Sequence, residues 1–165
     1  MEKKGLVLLV FAMVLGLVFG LMAPGSAGSN DVPLPSDINI VPPNPSLPKE
    51  VAALSGKWEG SWTRGRSMIL VVEKIISENE MQFVYAWGDW GANNPGGFER
   101  MSRKFSVKNN LPQFGWEYNT ITKGAKNHVT FEFEMEKDLK TIKGFYEVIG
   151  AWGNRQSRVT LKKVE

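Results

Sequence analysis

The chain has 165 residues, 22% of them charged, with a formal net charge of +3, one histidine and no cysteine. No disulfide framework, Cys/His zinc set or Cys–His nucleophile pair can be built from it. A charge this close to balance gives no warrant for nucleic-acid binding.

Residues 1–27 are laid out as a secretory signal peptide. Lys3 and Lys4 precede an apolar run over 5–22, and Gly25-Ser26-Ala27 offers a small-residue cleavage site. The run reaches the length at which membrane spans begin, so an uncleaved N-terminal anchor is the alternative, and the one route to a membrane. No cysteine follows the run, which excludes a lipoprotein anchor. Both readings export the rest of the chain, to the periplasm or the extracellular space. Without Glu2, Lys3 and Lys4 the chain keeps 18 basic against 16 acidic residues, a net of +2.

Residues 28–50 form a proline-rich arm. Six of the nine prolines of the chain fall here (Pro33, Pro35, Pro42, Pro43, Pro45, Pro48). Proline fixes φ and removes a donor, so the arm is expected to be extended and loosely structured, a tether or a wrap-around segment. The "PKEVAAL" that closes it fits one helical turn with Pro48 at its start, and Val51, Ala52 and Leu54 would cover one end of the next domain.

From Gly56 onward the apolar period is two. In "NHVTFEFEME", Val129, Phe131, Phe133 and Met135 share one face, and His128, Thr130, Glu132 and Glu134 share the other. The pattern predicts eight strands, at 56–63, 66–76, 80–88, 98–107, 113–118, 127–136, 140–150 and 154–163, separated by turn-forming stretches. Residues 51–165 are therefore read as one all-β domain, an antiparallel up-and-down barrel of about eight strands, with a two-sheet β-sandwich as the alternative. A barrel leaves no open edge, which suits a secreted protein without disulfides. The second strand, "SMILVVEKII", is apolar on both faces, so it needs cover outside the barrel as well, from the arm or from a second subunit.

Gly56-Lys57-Trp58, on the first strand after a capping turn, resembles the G-x-W signature of the calycin barrels, the lipocalins and the similar avidin-like proteins. That resemblance implies a barrel whose mouth takes a small ligand, with Gly56 and Trp58 structural. It also implies a late cation packed on Trp58, for which Arg155 or Arg158 stand in sequence. The stretch from "LPSDINIVPP" to "SGKWEGSW" is similar to a bacterial exported module found beside hydrolase domains.

"YAWGDWG" at 85–91 is echoed by "GAWGNRQ" at 150–156. In an eight-stranded meander these phrases end the third and seventh strands, on opposite sides of one rim. Gly88 and Gly153 are expected as turn residues, since Gly, Asn and Asp accept the positive φ of tight exits. Trp87 and Trp152 would then face one another across the mouth, with Tyr85 on the face of Trp87 and Trp90 in the 89–97 loop. The same rim collects Arg64, Arg66, Lys123, Lys126 and Arg155 against Asp89, and so favours an anionic group.

No G-x-S-x-G elbow and no phosphate-cradling loop is present. Asp89 with Glu99, or Glu117 with Glu147, are the only carboxylate pairs the strand order suggests. Enzymatic motifs are thus lacking, and neither cofactor nor metal is implied. The expected function is an exported, non-catalytic binding module that takes a small hydrophobic or amphipathic, anionic ligand between the aromatic side chains of the mouth. The alternatives are a filled barrel that meets a protein, a glycan or a second copy of itself through Trp90, and an accessory piece of an exported hydrolase system.

Overall fold

A computed structural model describes residues 32–91, 94–122, 124–151 and 153–164, without the side chain of Thr122. The leader assignment at 1–27 lies outside these residues.

One helical turn and eight strands follow each other: α1 (Lys49–Ala52), β1 (Gly56–Trp62), β2 (Ser67–Ser77), β3 (Glu80–Trp87), β4 (Gly97–Lys108), β5 (Leu111–Thr122), β6 (Ala125–Met135), β7 (Thr141–Gly150) and β8 (Arg155–Lys163). Each strand pairs antiparallel with the next, and β1 pairs with β8, from Trp58 opposite Lys163 to Trp62 opposite Val159. The sheet is therefore a closed barrel and not a sandwich.

The inward residues are those of period two: Trp58 and Trp62, Leu70 and Val72, Phe83 and Tyr85, Phe131 and Phe133, Ile142, Leu161. The far end of the barrel, away from the exits of the odd-numbered strands, is shut. Val51 and Leu54 of the α1 segment are buried there, with Ala53 rather than Ala52 packed on the core. Pro48 is the N-cap and the helix starts at Lys49. Trp58 is fully buried and donates its indole N–H to the Leu54 carbonyl at 2.9 Å. The cation over its ring is Lys163, 5.3 Å from the ring, which also donates to the Ala53 carbonyl. Arg155 opens β8 at the other end of the barrel and Arg158 stands exposed, so neither takes that role.

The outer cover of β2 comes from the arm. Ile69, Val71, Val84 and Ala86 form a second buried cluster on the barrel exterior with Val32, onto which Leu34, Ile38 and Ile40 pack. The arm is extended but not loose. Arg100 makes two hydrogen bonds to Glu73, buried on the outer face of β2, and two to the Asp37 carboxylate. The Val41 amide donates to the Glu73 carbonyl at 2.7 Å. Burying a carboxylate is tolerable only when it is paired and hydrogen-bonded, and here the pairing residue also clamps the arm.

One junction is short. β4 and β5 turn through Asn109 and Asn110, both at positive φ (54° and 64°), as a two-residue hairpin of primed type requires. Their pairing then runs only from Lys108 opposite Leu111 to Phe105 opposite Phe114. Above it, β4 stays paired with β3 and β5 with β6, but not with each other. The barrel wall is thus slit from that level to the mouth.

Candidate functional site

The exits of the odd-numbered strands share one rim, and those after β1, β3 and β7 are each held by their own turn chemistry. After β1, the Gly65 amide donates to the Trp62 carbonyl at 2.7 Å, with Gly65 at φ +91°. After β3, the Gly96 amide donates to the Asp89 carboxylate, and the Trp90 amide to the Asn94 carbonyl at 2.8 Å. After β7, Gly153 takes φ +88° and its amide donates to Gly150. Gly88 differs from its expected role. It is not among the positive-φ glycines, and a Cβ there would meet Val32 of the arm and Ser67 only at ordinary contact distance, 3.5 Å.

Inside this rim is a cavity of about 480 Å³. Its floor is Trp62 against Phe131 and Tyr146, with ring centroids 6.0 and 5.8 Å apart. Tyr85 and Trp87 form one wall, 5.3 Å apart, and Trp116 stacks on Phe131 at 4.8 Å to form the next, with Tyr118 above. All three tyrosines of the chain line this one space. Aromatic packing of this kind, offset and edge-on, leaves rigid walls that lose little entropy when a ligand enters.

Trp87 is held in place from three sides. Its indole donates to the Pro95 carbonyl at 3.3 Å, Arg66 sits 6.0 Å from its ring, and its Cζ2 lies where a Cβ on Gly97 would come within 2.9 Å. Arg66 in turn donates to the Gly88 carbonyl at 2.8 Å and to Asn94 and Pro95, so it organises the 88–95 loop as well as lining the cavity. Arg64 and Arg155 also line the mouth, both exposed, and no ion pair to either exists among the described residues. Glu99 is the acid that shares the lining.

Burial pushes the Tyr85 phenol well above its ordinary value, opposed by the nearby Arg66. Tyr118 is raised by burial and then by Tyr146 and Glu99. Tyr146 is raised by burial, while Arg155, Arg66 and Arg64 pull the other way. The three phenols are therefore neutral donors at physiological pH, and burial lowers Arg66 from a value too high for that to discharge it. The site offers apolar faces, phenol donors and guanidinium groups, a set that can hold an apolar body and an anionic end. Among the described residues no cluster of His, Cys, Asp or Glu could hold a metal ion.

The structure brings Tyr85, Trp87, Trp90, Arg64, Arg66 and Arg155 around one cavity. Trp152 lies outside the described residues. Gly56, at φ +119°, opens β1 under the closed end. The suggested carboxylate pairs do not form in the cavity: Asp89 is turned to its own loop, Glu117 faces His128 at 3.3 Å, and Glu147 accepts from Gln156. Sequence reading missed Trp62, Trp116, Tyr118 and Phe131. Their signal was the inward parity that singled out Trp87, but a mid-strand aromatic reads as core until the register shows which layer it occupies.

Trp116 is half-buried and Tyr118 exposed although both line the cavity, because the slit between β4 and β5 leaves them without a neighbour on that side. Trp116 and Phe131 also line a shallower depression of about 890 Å³ on the side of the barrel. Fold and site together define a closed antiparallel barrel with one shut end and one aromatic, arginine-rimmed mouth. No protein-family model matches the chain, and neither does any curated protein.

Proposed function

We propose that the protein is an exported, calycin-like binding module that takes a small hydrophobic or amphipathic ligand with an anionic end, without catalysing its conversion. One observation carries the reading: the aromatic cavity of about 480 Å³ opens at the arginine-bearing rim while the opposite end is shut by the α1 segment. That volume lies within the range of small-molecule sites, which are mostly apolar with a few convergent polar groups. The apolar body sits between Trp87, Trp116 and Tyr146, and the anion meets Arg64 and Arg155, the two mouth arginines not committed to the loop.

Intrinsic tryptophan fluorescence, titrated with fatty acids, aromatic acids and short glycans, tests this directly. Saturable quenching or a blue shift is expected with an apolar acid. Arg64→Gln with Arg155→Gln should weaken it roughly tenfold or more, since hydrogen bonds to charged groups contribute about 1.5–3 kcal/mol. Silence toward the whole panel in a folded sample would overturn the proposal.

A further inference from the structure

The mouth has an outside as well as an inside. Nine large apolar side chains stand exposed among the described residues, and five of them belong to the open end: Tyr118 inside the mouth, and Trp90, Phe98, Ile121 and Ile149 around it. They come from the 88–96 loop, the start of β4, and the ends of β5 and β7, and so surround the opening instead of forming a stripe along one strand. Ile121, 70% exposed, is the most prominent. Arg64, Lys126 and Arg155 are exposed at the same end. The acids there are Asp89, engaged with the Gly96 amide, Glu99 in the cavity lining, and on the outer face Glu117, which faces His128, and Glu147, which accepts from Gln156.

The arm reaches the barrel at this end. Val32 packs beside Gly88 and Pro33 beside Gly96, both in the β3 exit, and the arm then descends the outside of β2 to Glu73. The described chain thus begins at the mouth side, after the apolar run at 5–22 in sequence. Nine residues separate that run from Val32. Fully extended, that length spans at most about 30 Å.

We infer that the mouth end is a docking surface for an anionic lipid bilayer. Trp90, Ile121 and Ile149 enter the headgroup region, and Arg64, Lys126 and Arg155 meet lipid phosphates. Tryptophan is favoured at that depth because its ring is apolar and its N–H is polar. Each basic residue near an anionic surface adds attraction that salt weakens. Ile121 and Ile149 stand outside the cavity, whereas Arg64, Arg155 and Trp90 also line it, so contact of position 121 with lipid, and not the effect of the arginine pair, separates this inference from the ligand proposed for the cavity.

The absence of cysteine makes the test clean. In the full chain, Ile121→Cys at the mouth and Val107→Cys at the shut end, both at exposed positions, each carry a polarity-sensitive fluorophore. Each is mixed with vesicles of equal parts phosphatidylglycerol and phosphatidylcholine. The label at 121 should shift blue and be quenched by nitroxide-bearing lipid, while the label at 107 stays open to aqueous iodide. Arg64→Gln with Arg155→Gln should reduce the shift at 121 by roughly 20- to 30-fold in apparent affinity. Equal exposure of both labels to iodide on bound vesicles would overturn the inference. So would lipid quenching at 107 instead of 121, or a shift at 121 that follows protein concentration without lipid, which would make the rim a contact between copies. Far-UV circular dichroism of each variant confirms that a silent label reports a folded barrel.

Discussion

Two tryptophans on inward faces should behave oppositely when truncated. Trp58 is fully buried beneath α1, its N–H bonded to Leu54 and its ring covered by Lys163. Trp58→Ala removes a ring from the shut end and leaves the Leu54 carbonyl without its donor. Truncating a buried tryptophan costs about 3–5 kcal/mol, and an unsatisfied buried acceptor adds about 1–3. Against a total stability of about 5–15 kcal/mol, the variant should lose most of its margin, with Tm lower by roughly 15–30 °C. Trp87 lies at the mouth, only partly buried, with one face toward the cavity. Trp87→Ala enlarges a space already open to water, so no sealed void forms, and a loss of about 1–1.5 kcal/mol is expected from the packing against Tyr85 and Gly97. Urea unfolding followed by far-UV circular dichroism measures both. If Trp87→Ala costs as much as Trp58→Ala, Trp87 belongs to the load of the core, and the mouth is a packing crevice instead of a site.

Gly144→Ala should cost about 1–3 kcal/mol through overpacking, because the new Cβ would lie 2.6 Å from both Phe133 and Val159; an unchanged urea midpoint would refute the packing described for that layer. The arm should loosen in acid. Hydrogen bonds from Arg100 hold the Asp37 carboxyl below its ordinary value, so the native state binds fewer protons than the unfolded chain there. That contribution is complete above about pH 4 and is lost as the pH falls below it. Hydrogen-exchange protection of Val41, relative to its intrinsic rate, should therefore drop in that window, and Asp37→Asn should show the weaker protection already at neutral pH. Equal protection of wild type and Asp37→Asn at neutral pH would remove the clamp from the account.

The eight strands were legible because most of them bury one face and wet the other, which writes a period of two into the sequence; β3 buries its outer Val84 and Ala86 as well, yet keeps enough alternation to be read. β2 broke that pattern by being apolar on both faces, and the break itself announced an outer layer. The identity of that layer was not legible. Leu34, Ile38 and Ile40 are spaced by prolines and polar residues that obey no helical or strand period, so only the register of the arm on Ile69 and Val84 shows their role. β5 was read as ending at 118 when it continues to Thr122. Two of the added residues, Asn119 and Thr120, put polar side chains on both faces and the apolar Ile121 stands exposed, because the missing β4 contact leaves both faces wet, and that erases the alternation a reader relies on. Lys163 replaced Arg155 and Arg158 as the cation on Trp58 for a related reason: which residue of β8 meets β1 at the shut end depends on the barrel stagger, a quantity carried by no single motif.

The short seam between β4 and β5 gives the barrel an uneven stiffness. An uninterrupted hoop of hydrogen bonds can widen only if bonds break, whereas here the upper halves of two adjacent strands can part or approach while the hairpin at Asn109 and Asn110 stays shut. The wall behaves like a collet, split at one end and solid at the other. Its bore near Trp116 and Tyr118 can follow the girth of what enters, and the far end, locked by Trp58 and α1, does not move with it. Amide exchange along the unpaired edges of β4 and β5 should then be the fastest in the sheet, and the region where a bound guest slows exchange most.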